Sequence, residues 1–379
     1  MSGTRQAAGG GDSGLERDTV VFVSMSRGLG GPARSLLTVL ANLSDDLDRV
    51  LFAPTGDPSY RAVSDGTVSA HVPMPFRLRF RRLSRVQAAL ALARYVRRHR
   101  RHVIAIHANG QTELNLAAAA MLLTRVPVVM WAHTSRASPT AGVLGWFWRR
   151  QRRRVTWLAV SETARDILAD TLGLDHSSIE VVINPIDPAD VVGDRRSSES
   201  IRVAYLGLAL PHKGFDLLAD IVRHLDGSDV GLDLYVAPPD PHLALELRPA
   251  WDELNTASLD HDVVLRGRTL DVSQAYGRAA IVLCPSREES FGRIAAEAMM
   301  NGIPVVASDI PAYRELVGGP GAGLLFPSGD AAGAAAAIAG LAGDPELRRE
   351  LGQRGRAHVQ RFAPDRIIPA LEARYRAGR

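Results

Sequence analysis

The chain has 379 residues and a net charge of +4, with 46% apolar and 23% charged residues, a globular composition long enough for two domains. No apolar run reaches the ~18 residues that span a membrane, and no apolar leader follows the first basic residues. The single cysteine, Cys284, excludes an intrachain disulfide. We therefore expect a cytoplasmic protein.

The first half of the chain alternates apolar, β-branched runs with helical patterns. Residues 1–17 are rich in glycine and lack periodicity, which predicts a disordered segment. Strands are predicted at 18–25, 50–54, 103–109, 127–133, 156–161 and 179–187, with helices after residue 31, over 83–99 and from residue 162. This alternation is typical of a parallel sheet covered by helices, so residues 18–188 are assigned to one domain.

A polar stretch at 189–200 is predicted to be a linker, after which the pattern begins again. Strands are predicted at 201–208, 232–238, 263–268, 281–286 and 304–308, with helices at 216–225 and 291–301. The predicted fold class is α/β, with two doubly wound, Rossmann-like domains at 18–188 and 201–360. A C-terminal helix at 361–379 is a candidate to pack back on the first domain. Ligands of such sheets bind at the carboxyl ends of the strands, so the cleft between the domains is the predicted site.

The segment PSREESFGRIAAEAMMNGIPVVASD at 285–309 carries the strongest chemical signal. A strand leads into a loop with Glu289, and a helix opens near Ser290, Phe291, Gly292 and Arg293. The first amides of a helix have no internal partner and carry the positive end of its dipole, so this turn is a predicted anion site. Glu297 follows eight residues after Glu289, where it can accept hydrogen bonds from vicinal hydroxyls.

A second signal is Lys213, the one lysine among 45 cationic residues. It lies in LPHKGF, after the first strand of the second domain. A compact, mobile ammonium can reach a ligand from a short loop, whereas an arginine would bring a longer, planar group.

These features resemble the E-x7-E signature of retaining glycosyltransferases with the GT-B fold, known as family 4. The resemblance extends from Val20 to about Phe362. It implies that Glu289 contacts the donor sugar, that Glu297 binds the nucleotide ribose, and that Lys213–Gly214 holds the donor diphosphate. It also implies that the base lies near Arg266 and Gly267.

The first domain supplies weaker matches to the same family. Gly30 and Gly31 resemble its glycine-rich loop, whose amides could approach the donor phosphate or the acceptor. His133 stands at a strand end where the family has a histidine near the anomeric centre. The resemblance therefore implies Glu289, His133 and Lys213 as catalytic residues. His107 and Asn109, at a neighbouring strand end, are candidates for binding the acceptor.

One departure from the family pattern concerns the diphosphate. The family commonly has an arginine five residues before the lysine, but this position is Leu208. Either another arginine replaces it, with Arg287 and Arg293 as candidates, or donor binding is weaker, or the site has changed role.

Two basic stretches lie in the first half of the chain. Ten arginines and no acid occur between residues 76 and 102, from Arg77 to Arg101, and five arginines follow three aromatic residues between Arg149 and Arg154. One interpretation is a solvated face; the other is a surface for an anionic partner, either inner-leaflet lipid or a phosphate-linked acceptor. Lipid binding would place the protein on the inner face of the cell membrane. No nucleic-acid-binding module is recognisable.

The predicted function is a retaining, metal-independent transfer of a sugar from a nucleotide-diphosphate sugar, with UDP favoured, to a hydroxyl acceptor. The acceptor is a glycan, a lipid-linked molecule or a small natural product. No metal or cofactor is expected, because no metal-ligand spacing occurs. The main alternative is a non-catalytic GT-B subunit. An epimerase, a phosphorylase and a nicotinamide enzyme fit less well, the last because the strand after the Gly28-x-Gly30 loop ends without a carboxylate.

Overall fold

The fold is taken from a computed structural model. It describes residues 17–25, 30–54, 67–74, 81–136, 143–187, 201–236, 247–267, 269 and 271–377, with the backbone alone at 81–83 and 143–145. The predicted linker at 189–200 and nearly all of the predicted disordered segment at 1–17 lie outside the described residues, as do Arg77 and Arg79 of the first basic stretch.

The first domain is built on a parallel sheet of seven strands in the order β3-β2-β1-β4-β5-β6-β7. The strands are β1 (Asp18–Val23), β2 (Leu47–Pro54), β3 (Ala70–Met74), β4 (Val103–Ala108), β5 (Val128–Ala132), β6 (Val155–Ala159) and β7 (Ile179–Val181). The helices are α1 (Gly31–Asn42), α2 (Arg81–Arg98), α3 (Gln111–Thr124), α4 (Val143–Gln151) and α5 (Glu162–Leu172). The central strands are buried on both faces, as expected for a sheet covered by helices.

The second domain has a parallel sheet of six strands in the order β10-β9-β8-β11-β12-β13. The strands are β8 (Ile201–Leu206), β9 (Val230–Tyr235), β10 (Val263–Leu265), β11 (Ile281–Cys284), β12 (Val305–Ser308) and β13 (Gly323–Phe326). The helices are α6 (Leu218–His224), α7 (Arg248–Asp260), α8 (Ser273–Arg278), α9 (Arg293–Met300), α10 (Pro311–Tyr313), α11 (Ala331–Gly343), α12 (Pro345–Val359) and α13 (Pro364–Arg376). The prediction of two doubly wound domains is confirmed.

The sequence patterns missed several elements. Strand β3, AHVPM, is half-exposed at the sheet edge and contains a proline, so it lacks the apolar run of a central strand. Helix α3, QTELNLAAAAMLLT, is apolar on most of its faces, so it shows no 3.6-residue period. Helix α7 and strand β13 were also not predicted.

The last helix, α13, returns to the first sheet. The hydroxyl of Tyr375 lies 2.9 Å from Nδ1 of His107 on β4, with both side chains buried. Arg374 makes two hydrogen bonds of 2.7 and 2.8 Å to the carboxylate of Glu180 on β7. The end of the chain therefore contacts the domain in which the chain begins.

Within the part of the chain that the structure describes, no helix combines the length and the apolar character needed to cross a bilayer.

Candidate active site between the two domains

A cavity of ≈ 440 Å³ lies between the two domains, at the carboxyl ends of β8 and β11. The first domain contributes Gly30, Gly31 and Arg34 to its wall. The second contributes Leu208, Lys213, Ser286, Glu289, Arg293 and Tyr313, among others. The site therefore needs both domains, and it lies at the edge where ligands of parallel sheets bind.

Lys213 is held at this cavity by contacts between two loops. It ends a short 3₁₀ turn, Pro211–Lys213, that follows β8. The amide of Arg287, in the loop after β11, donates to the carbonyl of His212 at 2.9 Å. This contact fixes the lysine loop against the loop that carries Glu289.

Gly214 explains why a glycine follows the lysine. Its φ is +69°, in the left-handed region, and a Cβ at this position would lie 2.1 Å from the carbonyl oxygen of Pro285. A side chain would push the two loops apart. Gly214 therefore allows the close approach of the two loops, and it is not among the residues that line the cavity.

Glu289 and Lys213 form an ion pair in the wall of the cavity. Nζ of Lys213 lies 2.6 Å from Oε1 of Glu289, and the hydroxyl of Ser286 lies 3.3 Å from the same oxygen. The two side chains are partly buried, with 27% and 18% of their surface exposed. The two residues that the sequence predicted to act on the diphosphate and the sugar are therefore adjacent.

Two helix N-termini meet at the cavity, one from each domain. Helix α1 begins at Gly31 and α9 begins at Arg293, and their N-cap residues, Gly30 and Gly292, have no side chain that could cap the helix. Neither helix has an acidic residue in its first turn. A Cβ built on Gly31 would lie 4.0 Å from Cβ of Arg293, so the two turns are in van der Waals range. Their amides favour an anion.

Gly292 is also required by packing. Its φ is +89°, and a Cβ would lie 2.6 Å from the ring of Tyr313. Next to it, Phe291 is buried and makes an edge contact with Phe362, with ring centroids 5.7 Å apart. The carbonyl of Ser290 accepts a hydrogen bond from the hydroxyl of Ser161 in the first domain.

Glu297 lies behind the cavity wall. Its carboxylate is completely buried and accepts hydrogen bonds from Arg293 at 2.6 Å and from the hydroxyl of Tyr276 at 2.8 Å. Arg34 of the first domain approaches it to 3.5 Å. Here Glu297 fixes the side chains of arginine residues; its predicted contact with a ribose stays a prediction.

Arg293 joins the two domains. Besides Glu297, its guanidinium contacts the hydroxyl of Ser35 on α1 and the carbonyl of Pro185, each at 3.1 Å. Its side chain is only 7% exposed. Arg287, the other candidate to replace a cation at position 208, makes a bidentate ion pair with Asp216 at 2.6 and 2.8 Å.

The first-domain histidines His107 and His133 are not among the residues that line the cavity. Burial lowers the pKa of His107 to about 4 and that of His133 to about 3, so both rings are neutral at neutral pH. Among the described residues, Nε2 of His133 has no hydrogen-bond partner, and its ring contacts Trp131 at 4.8 Å between centroids. Nδ1 of His107 lies within hydrogen-bond distance of the Tyr375 hydroxyl, and the side-chain amide of Asn109 donates to the carbonyl of Pro32 at 3.2 Å.

Arg266 and Gly267 are the residues predicted to lie near the nucleotide base. Arg266 pairs with buried Asp233 at 2.9 Å. Gly267 has a φ of +71° and open space around it. Thr269 and Val272, which follow them, line the cavity, so this loop does reach the site.

Arg34 was not predicted from the sequence as a site residue. A signal for it was present, because it lies in the first turn of the helix that follows Gly30 and Gly31. A basic residue at such a position points along the helix toward its N-terminal side.

Comparisons with known proteins agree with this geometry. Residues 29–190 match the family model described as Glycosyltransferase Family 4, and residues 200–344 match the model described as Glycosyl transferases group 1. A phosphatidyl-myo-inositol mannosyltransferase of Mycolicibacterium smegmatis is 30% identical over 68% of this chain and 67% of its own length. The chain belongs to glycosyltransferase family 4. As a family member it is a glycosyltransferase.

Two further proteins resemble this glycosyltransferase. A D-inositol 3-phosphate glycosyltransferase of Saccharomonospora viridis is 40% identical, over 28% of this chain and 25% of that protein. The structure of Anabaena HepE in complex with UDP and glucose superposes with a TM-score of 0.76 at 19% identity, covering 94% of this chain and 98% of the other. At this identity the superposition establishes the shared GT-B fold.

Proposed function

We propose that this glycosyltransferase moves a sugar from a nucleotide-diphosphate sugar to an acceptor hydroxyl, with retention of the anomeric configuration and without a metal ion. The observation that carries the proposal is the convergence of Lys213, Glu289 and the uncapped N-termini of α1 and α9 on one cavity. This is a set of donors for a diphosphate beside a carboxylate that can hold sugar hydroxyls.

The proposed chemistry is electrostatic. The bond from the anomeric carbon to the phosphate oxygen breaks while a bond to the acceptor oxygen forms on the same face. The acceptor proton passes to the leaving phosphate, so no covalent enzyme intermediate is needed. Lys213 and the helix amides offset the charge that develops on the leaving diphosphate. Neutral His133 is proposed to contact the sugar through Nε2, which is buried and has no hydrogen-bond partner among the described residues.

Metal independence is part of the proposal. Within the described residues, no group of three or more histidine, cysteine, aspartate or glutamate side chains is placed to hold a metal ion. A site based on lysine and backbone amides works in EDTA, so the binding experiments below are carried out with the chelator present.

We propose UDP as the nucleotide, supported by the UDP and glucose bound to the structurally similar HepE. For the acceptor, the names of two relatives share inositol, once with a phosphatidyl group and once with a phosphate. Inositol phosphates and phosphatidylinositol are therefore the first acceptors to test, beside glycans and small natural products.

The test is calorimetry in EDTA with UDP, GDP, ADP and dTDP, followed by transfer assays with the sugar conjugates of the nucleotide that binds. Lys213→Ala should lose most of the affinity, by about 10–100-fold for one charge-assisted contact. Arg223→Ala, an exposed cation on α6 paired with Asp220, is the control and should bind as wild type does.

The outcomes separate the two interpretations. Binding of one nucleotide together with transfer to an acceptor supports the enzyme. Binding without hydrolysis or transfer of any conjugate favours the non-catalytic alternative. Failure of the wild-type chain to bind any of the four diphosphates would contradict both.

We further propose that the first domain binds an anionic membrane. Leu122 and Leu123, at the end of α3, are 56% and 59% exposed. Next to them, Arg154 donates to the carbonyl of Met121 at 2.8 Å. Trp146 on α4 is 56% exposed and carries the guanidinium of Arg150 over its ring at 5.6 Å. Exposed apolar side chains between arginines are what a protein needs to enter an anionic interface.

Sedimentation with vesicles of phosphatidylglycerol and phosphatidylcholine tests this surface. Wild type should bind at low salt, and replacing Leu122 and Leu123 with serine should reduce binding. Replacing Leu259, an exposed leucine on α7 of the other domain, is the control. Vesicle binding that is equal in all three proteins, or absent at low salt, would contradict the proposal.

A further inference from the structure

The cavity has an apolar residue where the glycosyltransferase pattern has a cation. Leu208 lies in the cavity wall and is 47% exposed. Lys213 alone, already paired with Glu289, would face a diphosphate that gains charge as the glycosidic bond breaks. A second cation is expected to be close to the same phosphates.

Three second-domain arginines near the cavity are held by short ion pairs or hydrogen bonds. Arg287 is in a bidentate pair with Asp216, and Arg266 is paired with Asp233. Arg293 lines the cavity, but its guanidinium is buried among Glu297, Ser35 and Pro185. Moving it would break contacts that join the two domains.

Arg34 differs from these arginines in three respects. It lines the cavity from the first domain, and its side chain is 21% exposed. Its ion pair with Glu297 is long, at 3.5 Å. Glu297 retains shorter hydrogen bonds, of 2.6 Å to Arg293 and 2.8 Å to Tyr276, if Arg34 turns away. Arg34 is therefore placed to meet a phosphate from the first-domain side of the cavity.

We propose that Arg34 binds the donor diphosphate from across the cleft and supplies the charge that Leu208 does not. This inference rests on the proposed function, since it concerns the same diphosphate site. The guanidinium can make two parallel hydrogen bonds to a phosphate, as arginine does in other phosphate sites. Because Lys213 belongs to the other domain, a bound diphosphate connects the two domains and holds the cleft closed.

The proposal predicts a specific loss. Arg34→Ala should weaken binding of the nucleoside diphosphate selected from UDP, GDP, ADP and dTDP by about 10–100-fold, the range for one hydrogen bond to a charged group. The matching nucleoside should bind nearly as before, because it lacks phosphates. Arg34→Lys should retain part of the affinity.

A charge-relocation variant sharpens the test. In Arg34→Ala with Leu208→Arg, the cation is moved to the other side of the same cavity, and diphosphate affinity should recover. Arg165→Ala is the matched control, because Arg165 is a first-domain arginine of similar exposure, 26%, outside the cavity. Thermal melting checks that each variant is folded. If Arg34→Ala does not fold, Arg34→Gln and Arg34→Lys carry the same comparison.

The outcomes distinguish this inference from the proposed function. If Arg34→Ala binds the diphosphate as wild type does while Lys213→Ala does not, the inference is wrong and the proposed function stands. A loss that is equal for the diphosphate and the nucleoside, or that Leu208→Arg does not restore, also overturns it. If wild type binds none of the four diphosphates, both proposals fail.

Domain closure gives a second readout. Small-angle scattering of the wild-type chain should show a smaller radius of gyration with the bound diphosphate than with the nucleoside. In Arg34→Ala at saturating diphosphate this contraction should be reduced. An unchanged contraction in the variant would contradict the proposed bridge.

Discussion

Nζ of Lys213 lies 2.6 Å from Oε1 of Glu289, so the one lysine of the chain is paired with the carboxylate predicted to hold the donor sugar. The two residues come from different loops, which are joined by the contact between the amide of Arg287 and the carbonyl of His212. Under the proposed function, an arriving diphosphate would compete with Glu289 for the lysine. The pair would then couple phosphate binding to the release of a carboxylate toward the sugar.

The first prediction separates the two roles. Glu289→Gln should bind the nucleoside diphosphate at least as tightly as wild type. The substitution removes the carboxylate charge that competes with the diphosphate for Lys213. Sugar transfer should fall by about 10²-fold or more, since the carboxylate no longer orients the sugar. Calorimetry and a transfer assay measure the two quantities. Weaker diphosphate binding in this variant would contradict the competition between phosphate and carboxylate.

The second prediction concerns Gly214. Gly214→Ala should lower the free energy of unfolding by more than about 2 kcal/mol, because the new methyl group would lie 2.1 Å from a backbone oxygen at a left-handed φ. Gly227→Ala is the control, with a similar φ of +73° and no atom within 4 Å of the added carbon. Its cost should be about 1 kcal/mol, from the backbone conformation alone. Urea unfolding measures both, and equal losses would rule out a role for the contact with Pro285.

The third prediction concerns Glu113, at the start of α3. Burial raises the pKa of this carboxyl from 4.5 to about 7, opposed by the amide of Met25, which donates to it at 2.7 Å. At pH values between 4.5 and about 7, Glu113 keeps its proton in the folded state and releases it in the unfolded state. The contribution of Glu113 to stability is therefore complete below pH 4.5 and is lost as the pH rises through 7.

Glu113→Gln should remove this pH dependence. The variant should unfold with a free energy about 2–3 kcal/mol above wild type at pH 8 and close to wild type at pH 4. Urea titrations at the two pH values measure the difference. Glu346→Gln, an exposed acid in the first turn of α12, should change stability by less than about 0.5 kcal/mol at either pH. The same difference at pH 4 and pH 8 would contradict a raised pKa.

The fourth prediction tests how the last helix is attached. Tyr375→Phe removes the hydroxyl that meets Nδ1 of buried His107, and should cost about 1–3 kcal/mol because a buried polar atom loses its partner. Arg374→Ala removes an ion pair with Glu180 in which both side chains are about 40% exposed. It should cost about 1 kcal/mol or less. If Arg374→Ala lowered the free energy of unfolding more than Tyr375→Phe does, the exposed ion pair would be the main attachment of α13, contrary to this prediction.

Local sequence patterns predict much of the fold. The buried strands β1, β4, β8 and β11 are apolar runs that end in turn residues, so their type and order are readable from the sequence alone. The edge strand β3 and helix α3 are not readable in this way. Strand β3 is partly exposed and contains a proline, and α3 is apolar on most of its faces, so neither shows a clear periodicity.

By itself, the sequence determined the two-domain α/β class and the spacing that places Glu289, Gly292 and Glu297 on one loop and helix, because these depend on short-range periodicity and turn chemistry. Only the tertiary structure decided which side chains meet. Glu297 lies behind the cavity wall among Arg293, Tyr276 and Arg34. Arg34 and Lys213 line the same cavity although they are 179 positions apart in the sequence. Contacts between distant parts of the chain follow from how the two sheets face each other, and no local pattern of residues encodes that arrangement.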